Sequence, residues 1–359
     1  MAGGLTIQEA GDLLITTLPK LNRGKKIDTF LLQNYPFLES VVSDKMPQSG
    51  GTRFQKSIRL RSGAPSRGVN LYEVTPTSRV QVMAMMAAEW FHHEGKIMYD
   101  VRELAMNASD EERVIEWIKT QQDAEMEEIC NYWELNGFLA PTSAGDTRFP
   151  LGMKYWIRGL GSGVTDIRGG FNGTTAVFRN GSTSSVVGNI DAAIPANERW
   201  RNWAFTHGGS LNMQTLRSMT TAMKRTRFAP PPGMKGSTNT SGKSKLRVYW
   251  NQQFSEDYEE IVNRGPDDRN GNASPFSGDL MYRDVQTVAT PALDSEADAP
   301  ILGVNHNHLY VITLQNMWMQ KDKPINDVDQ RHVFTQGIDS SGQIVCDNPR
   351  SCWIGHAVR

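Results

Sequence analysis

Over residues 52–61 apolar and polar positions alternate with a period of two. Phe54, Ile58 and Leu60 interleave with Arg53, Gln55, Ser57, Arg59 and Arg61, the spacing of a strand with one wet face. The Gly/Pro/Ser-rich stretch Ser62–Gly68 predicts a tip, and a second leg ending near Val80 completes a hairpin. The segment VQVMAMMAAEWF then reads as a better buried continuation.

Elsewhere the period changes to that of a helix. Ser109-x-x-Glu112 is a capping box, with Asp110 and Glu111 placed in the positive first turn. Val114, Ile118, Ile129 and Trp133 follow at helical spacing, and Asn136-Gly137 predicts a left-handed stop, giving a helix over 109–136 of roughly 40 Å. A second capping box, Thr6-x-x-Glu9, opens a short amphipathic helix closed by Pro19 on an otherwise extended arm. Residues 138–195 are dense in Gly, Ser and Asn and predict turns between short strands. A helix over roughly 212–228 carries Met213, Leu216, Met219 and Met223 on one stripe, read as core packing. After the Pro/Gly/Ser-rich 230–245 come the strand LRVYWN, a helix near 255–264, and terminal strands in HLYVITLQNMWM, RHVFTQGID and QIVCDN. KDKPIND and a turn at SSGQ break these last strands.

Composition narrows the class. The chain has 359 residues, 21% charged and 9% aromatic, with a formal net charge of −1, an ordinary globular balance and far from the basic excess of a dedicated nucleic-acid binder. No apolar run approaches the roughly 18–20 residues that span a bilayer, so no membrane partner is expected. The first twenty residues lack the basic start of a signal peptide. Cys130, Cys346 and Cys352 form no CxxC spacing and read as reduced thiols of a cytoplasmic protein.

Charge is unevenly placed within this neutral total. Residues 52–79 hold Arg53, Lys56, Arg59, Arg61, Arg67 and Arg79 against Glu73, a balance of +5. Residues 109–136 hold nine acids (Asp110, Glu111, Glu112, Glu116, Asp123, Glu125, Glu127, Glu128, Glu134) against Arg113 and Lys119, a balance of −7. A two-stranded ribbon is not stable alone in water and must lie on something. Exposed ion pairs contribute only about 0–1 kcal/mol each. Charge would therefore set partner and register, while burial of Phe54, Ile58 and Leu60 would supply the hold. A ribbon that is merely solvated is the competing reading.

Candidate chemistry is sparse, and no catalytic residue, metal ligand or cofactor is assigned. Gly242-Lys243-Ser244 misses the phosphate-loop spacing, since position 237 is Ser and a strand rather than a helix follows. His306-x-His308 offers two imidazoles but no acid or cysteine at ligand spacing. PDDRNGN puts Pro266 where a calcium loop needs its first ligand.

The order of elements resembles the major capsid proteins of tailed bacteriophages with the Hong Kong 97-like fold. TLPKLNRGKKIDTF is similar to that family's N-terminal arm and 48–80 to its extended loop. VRELAMNASDEERVIEWIKTQQDAEMEEICNYW is similar to its spine helix, and ERWRNWAFTHGGSLNMQTLRSMTTAMKRTRF to the start of its axial domain. LYVITLQNMWMQKDKPINDVDQRHVFTQGIDSSGQIVCDNPRS resembles the return to its peripheral domain. The resemblance implies an α+β fold, not an enzyme. Its parts would be an arm at 1–47, an extended β-hairpin loop at 48–82, a peripheral domain with the spine helix at 83–195, an axial domain at 196–295 and the return at 296–359.

It also implies a virion protein assembled in the host cytoplasm, forming hexamers and pentamers of an icosahedral shell around double-stranded DNA, which the wall contacts weakly and non-specifically. A separate scaffolding protein, a portal and a cement or decoration protein are the implied partners. The intersubunit interface would be Arg53, Phe54, Lys56, Ile58, Arg59, Leu60, Arg61 and Arg67 against Asp110, Glu111, Glu112, Glu116, Asp123, Glu125, Glu127 and Glu128 of a neighbour. Some members of the fold join loop to neighbour by a Lys–Asn isopeptide bond, for which Lys56 and Asn348 are the conceivable pair. Two other readings compete: a nucleic-acid module using 52–79 as a clasp, and a metal-dependent enzyme built on His306 and His308.

Overall fold

The computed structural model describes residues 35–42, 45–61, 68–71, 81–100, 102, 111–227, 245–264, 281–283, 285–326, 330 and 332–358, with backbone alone at 111–118 and 262–264. The expected helix after Thr6, the capping box at Ser109, the hairpin tip with Arg67, Asp110 and most of 230–245 lie outside the described residues. The chain divides into two compact units. The larger comprises Pro36–Phe91, Glu134–Thr313 and Gly342–Arg359, the smaller Met1–Tyr35, His92–Trp133 and Leu314–Ser341.

The larger unit is built on a seven-stranded mixed sheet. Its main strands are β4 (Asn202–His207), β5 (Leu246–Trp250), β6 (Val285–Ala289), β7 (Ile301–Asn305) and β10 (Trp353–Ala357). The order across the sheet is Met281–Tyr282, β6, β5, β7, β10, β4, Gly170–Gly173. β5/β6 and β4/β10 run parallel and the other pairings antiparallel. Helices α3 (Met213–Arg225) and α4 (Gln252–Arg264) lay their apolar faces on it. Met219, Ala222, Met223, Phe254 and Tyr258 pack with Phe205, Val248, Trp250, Ile301 and Trp353. Asn212 caps α3 by accepting from the Thr215 amide at 2.9 Å, and Lys224 and Arg225 sit in its negative last turn. The expected methionine stripe is core at 219 and 223, whereas Met213 is 60% exposed.

The 138–195 region consists of short pieces, as its glycines predict: Gly170–Gly173, Ala176–Val177, Thr183–Ser184, Val186–Val187 and Ile190–Asp191. Gly188, at φ +58°, is a position where only glycine fits, because a Cβ would press on Trp156 and Met86.

Two local expectations need correction. The long helix α2 (Glu111–Phe138) does not stop at Gly137 but carries it inside the last turn. Helix α1 (Pro36–Val42) packs there, and a Cβ at 137 would overlap the Phe37 ring, which lies 5.2 Å from Phe138. This glycine permits close approach rather than a left-handed turn. The second correction is at SSGQ, which is no turn: β9 (Val333–Cys346) runs through it unbroken. Gly342 pairs with Thr313 of β8 (Leu309–Leu314). The Gln343 amide donates to the Glu89 carbonyl and accepts from the Leu151 amide, both at 2.8 Å. Partners on both sides outweigh the local turn preference.

In the smaller unit, β3 (Phe91–Asp100) from His92 onward and residues 333–341 of β9 share a sheet with Gln320–Lys321 and Ile325–Asn326. α2 packs there through His93–Tyr132 stacking, Trp133 against Trp318, and a Gln122–Gln336 hydrogen bond of 2.9 Å.

Candidate interaction surface of the basic ribbon

The expected first leg is β1 (Arg53–Arg59), but its partner is β2 (Met83–Glu89), a stretch that the sequence reads as a buried continuation. The register runs from Arg53↔Glu89 to Arg59↔Met83. Leu60 and Arg61 amides extend the ladder to the Val82 carbonyl. The second leg expected up to Val80 falls mostly outside the described residues.

Alternation sorts the ribbon into two faces. Phe54, Lys56 and Ile58 are half-buried, and Leu60, Met86 and Ala88 fully so. Arg53, Gln55, Ser57, Arg59, Met83, Met85 and Glu89 face outward. The apolar residues expected to hold a neighbour therefore point toward the chain's own body. The root is fastened further by the Ala87 amide on the Gly188 carbonyl and by Trp90 Nε1 on the Gly51 carbonyl at 2.8 Å.

Lys56 is the one cation of β1 on the inward side. Its Nζ donates to Asp347 Oδ2 at 2.7 Å and to Tyr310 Oη at 3.2 Å, and lies 5.6 Å from the centre of the Tyr310 ring. Asp347 Oδ1 is 2.8 Å from His308 Nδ1. Burial alone would lower the Lys56 ammonium, yet the hydrogen bond and charge of Asp347 hold it above its ordinary value. Burial likewise pushes Asp347 up, but hydrogen bonds from His308 and Lys56 prevail and keep the carboxyl below its ordinary range. Both groups are charged at neutral pH. With Lys56 41% exposed, the pair contributes about 1 kcal/mol or less. Arg61 is also engaged within the chain, donating to the Ala196 carbonyl at 3.1 Å and to Asn197 Oδ1 at 3.3 Å.

Of the ribbon's expected contact cations, Lys56 and Arg61 thus serve its own fold, Arg53 and Arg59 are outward, and Arg67 is outside the described residues. Arg53 stands opposite Glu89 in register, so the outward face at Arg59, Met83 and Met85 combines a positive charge with two methionines that are 60% and 51% exposed.

The expected acidic counterpart is sorted in the same way. Asp123 and Glu128 are exposed. Glu125 accepts from the Lys96 amide at 3.2 Å, over a glycine, Gly95, that leaves room for its carboxylate. Glu127 is half-buried. Glu111, Glu112 and Glu116 lie in α2, where only backbone is described.

Sequence reasoning missed Asp347, His308 and Tyr310 as the anchor of the ribbon, and Met83 and Met85 as part of its outer face. Only His308 was singled out, and for a different chemistry. His306 and His308 point to different partners, His306 Nε2 to Tyr249 Oη at 2.8 Å and His308 to Asp347.

No family model matches the chain, and no curated protein matches it. Solved structures do. The capsid asymmetric unit of cyanophage A-1(L) matches with a TM-score of 0.60 at 12% identity, over 95% of this chain and 98% of that one. The capsid of a native GTA particle matches with 0.56 at 8% identity, over 94% and 95%. The mature capsid of bacteriophage PhiM1 matches with 0.52 at 8% identity, over 95% and 92%. The chain therefore has the α+β fold of these capsid proteins, the Hong Kong 97-like fold that the sequence resemblance implied.

Proposed function

We propose that the chain is the major capsid protein of a tailed double-stranded DNA phage, joining copies of itself into hexamers and pentamers of an icosahedral shell. The observation that carries this reading is a fold shared end to end with capsid chains, over more than nine tenths of this chain's length. A building block rather than a catalyst also suits the side chains described above, whose charges close ion pairs and cap backbone groups.

In this reading 1–47 is the arm, 48–82 the extended loop, 83–195 and 296–359 the peripheral domain, and 196–295 the axial domain. The ribbon's outward face at Arg59, Met83 and Met85 lies on a neighbouring copy, with the exposed Asp123 and Glu128 of that copy's long helix as its counterpart. Phe54, Ile58 and Leu60 hold the ribbon to its own chain instead. A wall with net charge −1 would contact packaged duplex weakly and non-specifically, since tight binding needs many neutralised phosphates. Scaffolding protein, portal and any decoration protein would be separate chains. The clasp reading loses ground because Lys56 and Arg61 are already engaged within the chain, Lys56 by Asp347 and Tyr310 and Arg61 by the Ala196 carbonyl and Asn197.

Sedimentation and negative-stain electron microscopy of the purified full chain test this. Megadalton shells or ring-shaped capsomers are expected. Discrete small oligomers that bind duplex with a steep salt dependence would overturn the proposal in favour of the clasp.

A further inference from the structure

Lys154 is a cation in a place where charge is costly. It belongs to the one-turn helix Met153–Trp156 and is only 8% exposed, yet its Nζ touches two carboxylates. It donates to Asp298 Oδ1 at 3.0 Å and to Glu296 Oε2. Asp298 lies 144 residues along the chain from Lys154. Its side chain is 5% exposed, against 25% for Glu296. Both sides of the contact are fixed in place. Trp156 Nε1 donates to the Ile344 carbonyl at 2.9 Å, and the Tyr155 hydroxyl accepts from the Gly188 amide at 3.1 Å. Opposite them, the Ala357 amide donates to the Asp298 carbonyl at 2.8 Å and the Ala299 amide to the Glu296 carbonyl at 2.9 Å. Ala299 stands at φ +38°, a left-handed conformation that a residue with a Cβ keeps only under constraint. Lys154, Glu296 and Asp298 all line a cavity of about 430 Å³, whose other walls include Leu139, Val177, Phe178 and Val358.

We propose that Lys154 and Asp298 are a modification site: they condense to an intrachain isopeptide bond, with Glu296 carrying the proton. A plain ion pair is a weak reason to bury these groups, since desolvation offsets much of the attraction. Amide formation removes two of the three charges. The amine is one hydrogen bond from Oδ1 and so stands beside the carbonyl carbon to which that oxygen is attached. At such separations, held by a rigid frame, an intramolecular reaction gains most from its geometry. Asp298 is the acceptor because it is the drier carboxyl, and Glu296, nearer to solvent, exchanges the proton. The bond would join two parts of one chain away from the ribbon, unlike the Lys56 and Asn348 pair.

Asp298 first takes up a proton from solvent, and Glu296 takes one from the Lys154 ammonium. The amine lone pair attacks Asp298 Cγ, forming the N–C bond as the carbonyl pair moves onto oxygen. When that pair returns, the C–O bond to the hydroxyl breaks, and the hydroxyl leaves as water with the proton from Glu296. The nitrogen gives its surplus proton to Glu296, which releases it to solvent in exchange for the one Asp298 took up. One ammonium and one carboxylate become one amide and one water, with no oxidant or cofactor consumed. The water departs into the cavity.

The test is the mass of the purified full chain, denatured after folding, followed by a tryptic peptide map. The expected intact mass is lower than that of the sequence by one water, about 18 Da. The map should hold the peptides 149–158 and 284–321 as one linked species, uncut after Lys154, and the chain should run as a monomer on a denaturing gel. Lys154→Arg keeps the positive charge but offers no condensing amine, and should restore the full mass. Glu296→Gln keeps both reacting groups and should lower the linked fraction at least tenfold. A native chain of full sequence mass would overturn the proposal and leave an ion pair. A water loss confined to a single unlinked peptide, or a link joining two chains, would overturn it as well. The readout on the native sequence needs no variant to fold. It is also independent of assembly, so an absence of shells would count against the capsid role and not against this chemistry.

Discussion

Glu134 sits in α2 with 1% exposure and accepts from the Phe37 amide at 3.1 Å and the Leu38 amide at 2.9 Å, the first turn of α1. Burial raises its carboxyl to about 7, against the downward pull of those two amides. An unfolded chain would titrate near the ordinary 4.5, so the folded state binds the proton more tightly. The stability this adds is fully present below about 4.5 and is lost as pH rises through about 7. Glu134→Gln keeps an acceptor but cannot ionise. It should flatten the melting profile across that window, where the native chain loses about 3 kcal/mol, as thermal denaturation at several pH values would read. Lys56 shows what was legible at this scale. It shares the side of Phe54 and Ile58, so alternation alone directs its charge inward and demands a partner. That the partner is Asp347, 291 residues on, is set by tertiary folding and has no local signature.

At the scale of elements, the strongest periodic segments were readable and their ends were not. α3, α4 and β5 appear where apolar spacing puts them. The three misjudged places all involve signals whose meaning depends on a distant neighbour. Gly137 reads as a stop until Phe37 is seen against it. SSGQ reads as a turn until Gln343 finds Glu89 and Leu151. The return strand of the ribbon reads as buried core because Met83, Met85 and Met86 look equally apolar, although only Met86 is fully inside. Gly303 makes the same point as a measurable prediction. It lies opposite Trp353 in the β7/β10 register, and a Cβ there would fall within the indole. Gly303→Ala should destabilise the chain by about 1–3 kcal/mol or more, as overpacking does, and urea unfolding would show the loss.

For the whole molecule, the fold was recognisable from the order of arm, basic hairpin, acidic helix and terminal strands, although identity to the matched capsids is only 8–12%. The interface we propose rests, at the level of sequence, on charge alone. Sequence cannot say which of several like cations is already engaged at home, since that depends on burial. The structure reduces the outward pair to Arg53 and Arg59. Reversing both to Glu should leave the melting temperature nearly unchanged, because exposed changes typically stay within about 0.5 kcal/mol. The same variant should abolish shells or capsomers in sedimentation. Normal particles from it would show that charge does not steer the contact.

Each residue of Arg53–Arg59 leaves the opposite side from the one before, so the strand is read in steps of two, and parity matters more than any individual letter. One alanine inserted after Gln55 would turn Arg53 and Gln55 inward and Phe54 outward whenever the tip sets the pairing. Two alanines would restore the sides at the cost of a longer leg. Odd insertions should therefore yield insoluble chains and even ones soluble protein, a pattern that expression of the two variants side by side would reveal and that any lineage accumulating indels here would have to obey.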